Sequence, residues 1–281
     1  MLKQRVITAL VLLLFLLPAL FYEAPEPFCL IALVLIAAAA WEWSRLTGYG
    51  QAASLLCGFV CALCCAVAWW FGLPAQVEPL LWTCAGAAWV LGGAWALRGG
   101  VSAWASHPAA VRLVLGLVAL WLAWLAVVQA KVIGVNFLLS ILVLVWVADI
   151  FAYFAGRSFG GRFCHAKLAP GISPGKSWEG VWGGMLGVLA LAFAWQWADA
   201  AWVIAVPSLY SQLAVKGTGL LVIAVVFMAA MSVVGDLFES LVKRSAGVKD
   251  SSALLPGHGG VLDRVDALLP TLPLALMLYS L

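Results

Sequence analysis

Asp236, Glu239 and Ser240 stand at i, i+3 and i+4 in one stretch, and Asp263 and Asp266 stand at i and i+3 in the next. Helical spacing puts each set on a single face, and carboxylates on facing helices are a common way to build a metal site in a bundle. Hard oxygen donors at that density suit Mg²⁺, which bridges protein carboxylates and substrate phosphates. Between the two faces lie Lys243, Arg244, Lys249 and the turn Pro256-Gly257-His258-Gly259-Gly260. Such cations, with amides exposed by a glycine-rich turn, would neutralise a polyphosphate. The plainer alternative is a basic loop that attracts anionic lipid, its acids tied in salt bridges. That accounts for Lys243 and Arg244 but leaves three aspartates with too few adjacent bases.

Two further groups precede this run. Asp149, Tyr153 and Arg157 repeat every four residues and so share one helix face. They read either as an Asp–Arg structural pair or as the lining of a polar pocket. Next comes Gly171-Ile172-Ser173-Pro174-Gly175-Lys176-Ser177-Trp178-Glu179-Gly180. Pro174-Gly175 makes a turn, Ser177 can cap the helix that follows, and Lys176 beside a helix start suits an anion. The spacing is not that of a Walker A loop, and alone the segment reads first as a plain cytoplasmic turn.

These inventories suit one reaction class. A lipid phosphate monoester is already anionic near neutral pH and needs no general base to attack a nucleoside triphosphate. The obstacle is to bring two polyanions together and stabilise charge on the leaving pyrophosphate, which metal ions and Lys/Arg clamps do. No plausible Ser/His/Asp triad is present. His258 suits positioning a phosphate or the turn better than transferring protons.

The elements that must hold these groups are hydrophobic. The chain of 281 residues is 65% hydrophobic and 10% charged, with mean hydropathy +1.09. A soluble domain carries nearer a quarter charged residues. Apolar stretches lie at 6–22, 28–43, 52–73, 79–97, 111–130, 132–156, 178–198, 217–241 and 260–281. Segment 201–214 is weaker, is broken by Pro207 and is too short to cross alone. About nine transmembrane helices, all-α, with a cytoplasmic N-terminus, sort the basic residues: only Lys131 and Lys216 fall in loops on the far side, with Glu23, Glu26, Glu78 and Asp199. Lys3, Arg5, Arg45, Arg98, Arg112, Arg157, Arg162, Lys167, Lys176, Lys243, Arg244 and Lys249 fall on the near side, a positive-inside bias. The first segment reads as a retained anchor, since no small-x-small cleavage site follows it. Cys57, Cys61, Cys64 and Cys65 read as packing residues of a membrane helix rather than a metal site. The organisation is a single membrane domain over 1–281, with hydrophobic scaffold over 1–130 and catalytic helices and cytoplasmic loops over 131–281.

The pattern from Ser240, Lys243 and Arg244 through Lys249, Asp250, Pro256, His258, Gly259 and Gly260 to Asp263, Arg264 and Asp266 resembles the signature of the phosphatidate cytidylyltransferases. The stretch 149–160 and Ser173 to Gly180 resemble segments of the same family, so the likeness covers 146–266. The resemblance implies that CTP and phosphatidate give CDP-diacylglycerol and pyrophosphate. It also implies Mg²⁺ at Asp236, Asp263 and Asp266, K⁺ as a companion ion, and a homodimer in the bacterial cytoplasmic (inner) membrane. The substrate-binding set is then Ser173, Lys176, Ser240, Lys243, Arg244, Lys249, His258 and Asp149, on the cytoplasmic side. No nucleic acid partner is expected. The rivals are a CTP-dependent transferase or kinase for another membrane lipid, and an ion transporter relaying through Asp149, Asp236 and Asp266.

Overall fold

In a bilayer every backbone polar group must be satisfied within the chain, so long apolar stretches there form helices. The computed structural model describes residues 2–281, without the side chains of Leu2, Lys3 and Arg5. The two cations expected to flank the first span are therefore outside the described side chains. The chain runs α1 (Leu2–Phe21), α2 (Glu26–Leu46), α3 (Gln51–Trp70), the single turn α4 (Leu73–Gln76), α5 (Pro79–Ser106) and α6 (Ala109–Ile133). It continues through α7 (Val135–Phe159), α8 (Trp178–Ala201), α9 (Leu209–Lys216), α10 (Thr218–Ser245), α11 (Leu262–Val265) and α12 (Leu268–Tyr279). No strand occurs among the described residues, and the fold is the all-α membrane bundle expected.

Seven of these helices, α2, α3, α5, α6, α7, α8 and α10, are long and apolar enough to cross a membrane. The first expected span is shorter, with an apolar part of Val6–Phe21. The stretch 260–281 is also less than one continuous helix: α12 has 12 residues. It breaks at Asp266 and Ala267, where Pro270 has no N–H to offer the Asp266 carbonyl and the Asp266 carboxylate accepts from the Ala267 amide at 2.8 Å. Segment 201–214 is too short to cross, as expected. After Pro207, Ser208 caps α9 by accepting from the amide of Ser211 at 3.2 Å.

Polar side chains gather at the two ends of the bundle. At one end Lys131 donates to the carbonyls of Leu20 (2.8 Å) and Tyr22 (2.9 Å), closing the end of α1. There too Asp199 accepts from Asn136 (3.0 Å), the Ser208 amide (2.9 Å) and Ser211 (2.6 Å), while Trp195 donates to Asn136 (2.9 Å). Every member has a partner, and a fully satisfied buried network rigidifies. The opposite end gathers the C-terminal ends of α2, α7 and α10 with the starts of α6, α8 and α11.

A glycine stripe on α8 sets how closely it approaches α7. A Cβ at Gly183 would lie 2.2 Å from that of Ala155, and one at Gly187 would lie 2.4 Å from the Phe151 ring. Without a hydrophobic drive between helices in lipid, such close approach supplies the packing energy. Gly183→Val is expected to push the two helices apart and cost about 1–3 kcal/mol, as overpacking does. Thermal unfolding in detergent checks it, with Gly92→Ala as the neutral control, since nothing lies within 4 Å of a Cβ there.

Candidate active site

Helix α7 presents Asp149, Tyr153 and Arg157 on one face, as their spacing requires. All three line a cavity of about 660 Å³ closed by α8, α10 and the loop before α8. Arg157 donates to the Tyr153 hydroxyl at 2.8 Å. Asp149 and Arg157 form no ion pair among the described residues, so the face is pocket lining rather than a structural bridge.

Across the cavity Lys176 is paired with Asp236 of α10, and the Ser240 hydroxyl donates to Asp236 at 3.4 Å. Local geometry explains how a loop lysine reaches that point. The chain doubles back at Pro170-Gly171, where the Ser173 amide donates to the Ala169 carbonyl at 2.8 Å, and it turns again as the Lys176 amide donates to the Ser173 carbonyl at 3.2 Å. The Ser177 hydroxyl then caps α8 by accepting from the Gly180 amide at 3.2 Å. Ser173 thus serves the turn through its backbone and is not among the residues lining the cavity. One residue beyond the start of α8, Glu179 is 4% exposed. Its carboxylate accepts from the amides of Gly161 (3.1 Å), Phe163 (3.0 Å) and Cys164 (2.9 Å), which ties down the loop leaving α7.

A second cluster lies beside the first. Lys243 of α10 sits between Glu239, with which it forms an ion pair, and Asp263, to which it donates at 2.6 Å. The other Asp263 oxygen accepts from the Ser251 amide (2.9 Å), the Ser251 hydroxyl (2.8 Å) and the Gly260 amide (2.8 Å). Desolvation pushes the Asp263 carboxyl up, but Lys243 and those amides outweigh it and hold it down to about 2. Asp266 has only the Ala267 amide, at 2.8 Å, and no lysine pairs with it: desolvation, then the neighbouring carboxylate of Asp236, push its carboxyl up.

These three aspartates face one end of the bundle without forming a single set of ligands. Among the described residues no group of three or more His, Cys, Asp or Glu stands close enough together to hold a metal ion. Asp236 and Asp266 fit a hard cation by donor chemistry, since their mutual repulsion is what a cation relieves. Asp263 already serves Lys243 and the loop.

Of the remaining expected residues, Arg244 in the last turn of α10 and Lys249 beyond its end are exposed, and Arg244 donates to the Val248 carbonyl at 3.3 Å. His258 sits in a turn closed by its amide donating to the Leu255 carbonyl at 2.8 Å, with Gly257 at φ +77° where a type II turn requires glycine. Its carbonyl accepts from Arg264, and its buried Nδ1 has no protein partner.

Residue patterns missed Glu42 and gave Glu179 no role. Glu42, 0% exposed, accepts from Ser252 (2.6 Å) and the amides of Val261 (2.9 Å) and Leu262 (2.7 Å). It therefore joins the supposed scaffold half to the polar run. A signal existed, because a carboxylate inside an apolar stretch is functional or paired by default.

The model described as the Cytidylyltransferase family matches residues 3–281. The chain belongs to that family. A phosphatidate cytidylyltransferase of Pseudomonas aeruginosa is 38% identical over 97% of this chain and 95% of the relative. One of Haemophilus influenzae is 48% identical over 50% of this chain and 44% of its own length, and one of Thermotoga maritima is 41% identical over 51% and 48%. For a cytidylyltransferase, the lysines and arginines beside the aspartates are chemically apt, because both substrates of such a reaction are anions.

Proposed function

We propose that this membrane cytidylyltransferase transfers a cytidylyl group from CTP to phosphatidate, giving CDP-diacylglycerol and pyrophosphate. The observation that carries the reading is the cavity lined by Lys176, Arg157, Asp149 and Asp236, with the Lys243–Asp263 pair two turns further along α10 from Asp236. A phosphate oxygen of the lipid forms the new bond to the α-phosphorus. The bond from that phosphorus to the bridging oxygen breaks, and its electron pair leaves on pyrophosphate. No proton has to move. Lys176, Lys243, Arg244 and Lys249 hold phosphate oxygens and offset the charge that develops on the leaving group. Mg²⁺, held by Asp236 and Asp266 with Asp263 as the third ligand that the resemblance implies, would supply further neutralisation of that charge. K⁺ is the companion ion implied by the resemblance, and a homodimer the implied assembly.

The positive-inside distribution supports an inner-membrane protein with this end in the cytoplasm, where a lipid phosphate and a soluble nucleotide meet. A transporter places such carboxylates near mid-bilayer, often on broken helices. Here Asp236 and Asp263 are paired with lysines, and the relatives are phosphatidate cytidylyltransferases, which disfavours that rival.

The deciding measurement supplies purified protein in detergent with phosphatidate and each of CTP, ATP, GTP and UTP, scoring lipid-linked nucleotide and released pyrophosphate. CTP is expected to exceed the others by at least about 100-fold, the discrimination available to a site that hydrogen-bonds its base. Product only with a polyprenol or an ether lipid would transfer the reading to another lipid, and ion flux without nucleotide would replace it.

A further inference from the structure

Glu42 has no part in the chemistry above, yet it is the most thoroughly enclosed carboxylate at this end of the bundle. It stands near the C-terminal end of α2, in the half of the chain that otherwise reads as apolar scaffold. No Lys, Arg or His among the described residues pairs with it. Its partners all come from one segment more than two hundred positions later. One oxygen accepts from the Ser252 hydroxyl at 2.6 Å and the Val261 amide at 2.9 Å. The other accepts from the Leu262 amide at 2.7 Å and lies 3.2 Å from the Ser251 hydroxyl. That hydroxyl has one proton and stands closer to Asp263, at 2.8 Å, so Glu42 and Asp263 share it.

Both ends of the 251–262 segment therefore converge on one carboxylate. Packing agrees with the hydrogen bonds: a Cβ at Gly260 would lie 2.0 Å from the Ser251 hydroxyl and 2.4 Å from a Glu42 oxygen. Only glycine lets the strand pass that closely. The next residues carry Asp263 and Asp266, so whatever fixes Val261 and Leu262 fixes the start of both.

We propose that Glu42 is a positioning residue for cytidylyl transfer: it clasps the two ends of the 251–262 segment and thereby sets where Asp263 and Asp266 stand. The proposal rests on the functional reading above for its catalytic consequence, though not for the clasp itself. Glu42→Gln is the sharpest probe, because it keeps the shape and removes one acceptor. Its NH₂ must face the amide of either Val261 or Leu262, and a backbone N–H cannot reverse its polarity to accommodate it. A serine hydroxyl could.

The test pairs steady-state kinetics with hydrogen exchange on full-length protein in detergent. Glu42→Gln is expected to lower kcat at least tenfold with less than a threefold change in KM for CTP. Exchange should quicken at Val261 and Leu262 while α2, α3 and α6 keep wild-type protection. Wild-type kcat would overturn the proposal, and so would faster exchange spread evenly through α2, α3 and α6, which would make Glu42 merely structural. If Glu42→Gln does not accumulate, Ser252→Ala removes one partner of the clasp, together with the acceptor of the exposed Leu254 amide. It should lower kcat about threefold with the same local exchange, and unchanged kcat and exchange would overturn the proposal. Should the wild-type protein itself make no CDP-lipid, the functional reading fails, and the exchange comparison still decides whether Glu42 holds the segment.

Discussion

Asp263→Asn is expected to lower CTP-dependent turnover by about a thousandfold or more, roughly 4 kcal/mol of transition-state stabilisation. The two carboxylate oxygens of Asp263 have unlike duties. One receives Lys243, and the other receives the amides of Ser251 and Gly260 with the Ser251 hydroxyl. An asparagine has a single carbonyl, so its NH₂ must point either at an ammonium or at two backbone amides. Donor then meets donor in both orientations. The substitution also leaves Lys243 with Glu239 as its one anionic partner and removes a charge from the proposed Mg²⁺ set. Helix α10 and the α7–α8 seam do not depend on Asp263, so the variant should elute from a sizing column like the parent. Turnover is read as CDP-lipid formed per mole of purified protein. Wild-type turnover would remove Asp263 from the active site.

The second large effect is expected at Lys176. Lys176→Met keeps most of the apolar stem and deletes the charge that pairs with Asp236 across the cavity. Asp236 is then left facing Asp266 without a cation, and a phosphate loses its contact at the start of α8. A loss of about 100-fold in kcat/KM for CTP is expected, close to 2.7 kcal/mol. Lys176→Arg should not restore it fully, because a planar fork does not substitute for a compact ammonium at a point contact. The readout is initial rate against CTP at fixed phosphatidate. A Lys176→Met enzyme with wild-type kcat/KM would show that the turn before α8 is only a connector.

Much of this site was legible because its residues sit on long helices or in tight turns. Asp149, Tyr153 and Arg157 share a face by spacing alone, and the structure lines one cavity with them. Ser177 reads as a cap from its position, and it caps. Harder to see was anything that depends on which helices touch. The pairing of Lys176 with Asp236 joins a loop to a helix 60 positions on, and nothing in either stretch names the other. Glu42 was passed over because one acid in an apolar run looks incidental until its four donors are found. The last helix shows the opposite difficulty. Hydropathy joins 260–281 into one stretch, whereas the helix breaks at Asp266 and Ala267, ahead of Pro270. Mean hydropathy reports lipid compatibility and is blind to a proline that withholds an amide from the helix.

The contacts of Glu42 also have a consequence measured in time. Its partners lie 209 to 220 positions further along the chain. At the usual pace of synthesis, roughly 5–20 residues per second, about 10–45 s separate the birth of this carboxylate from that of the amides that receive it. Through that interval α2 carries an acid without the partners it has in the finished fold. The bundle is therefore closed by its final residues, like a purse drawn shut by its string. A ribosome that stops short of Leu262 leaves behind a set of membrane helices with an open, charged seam.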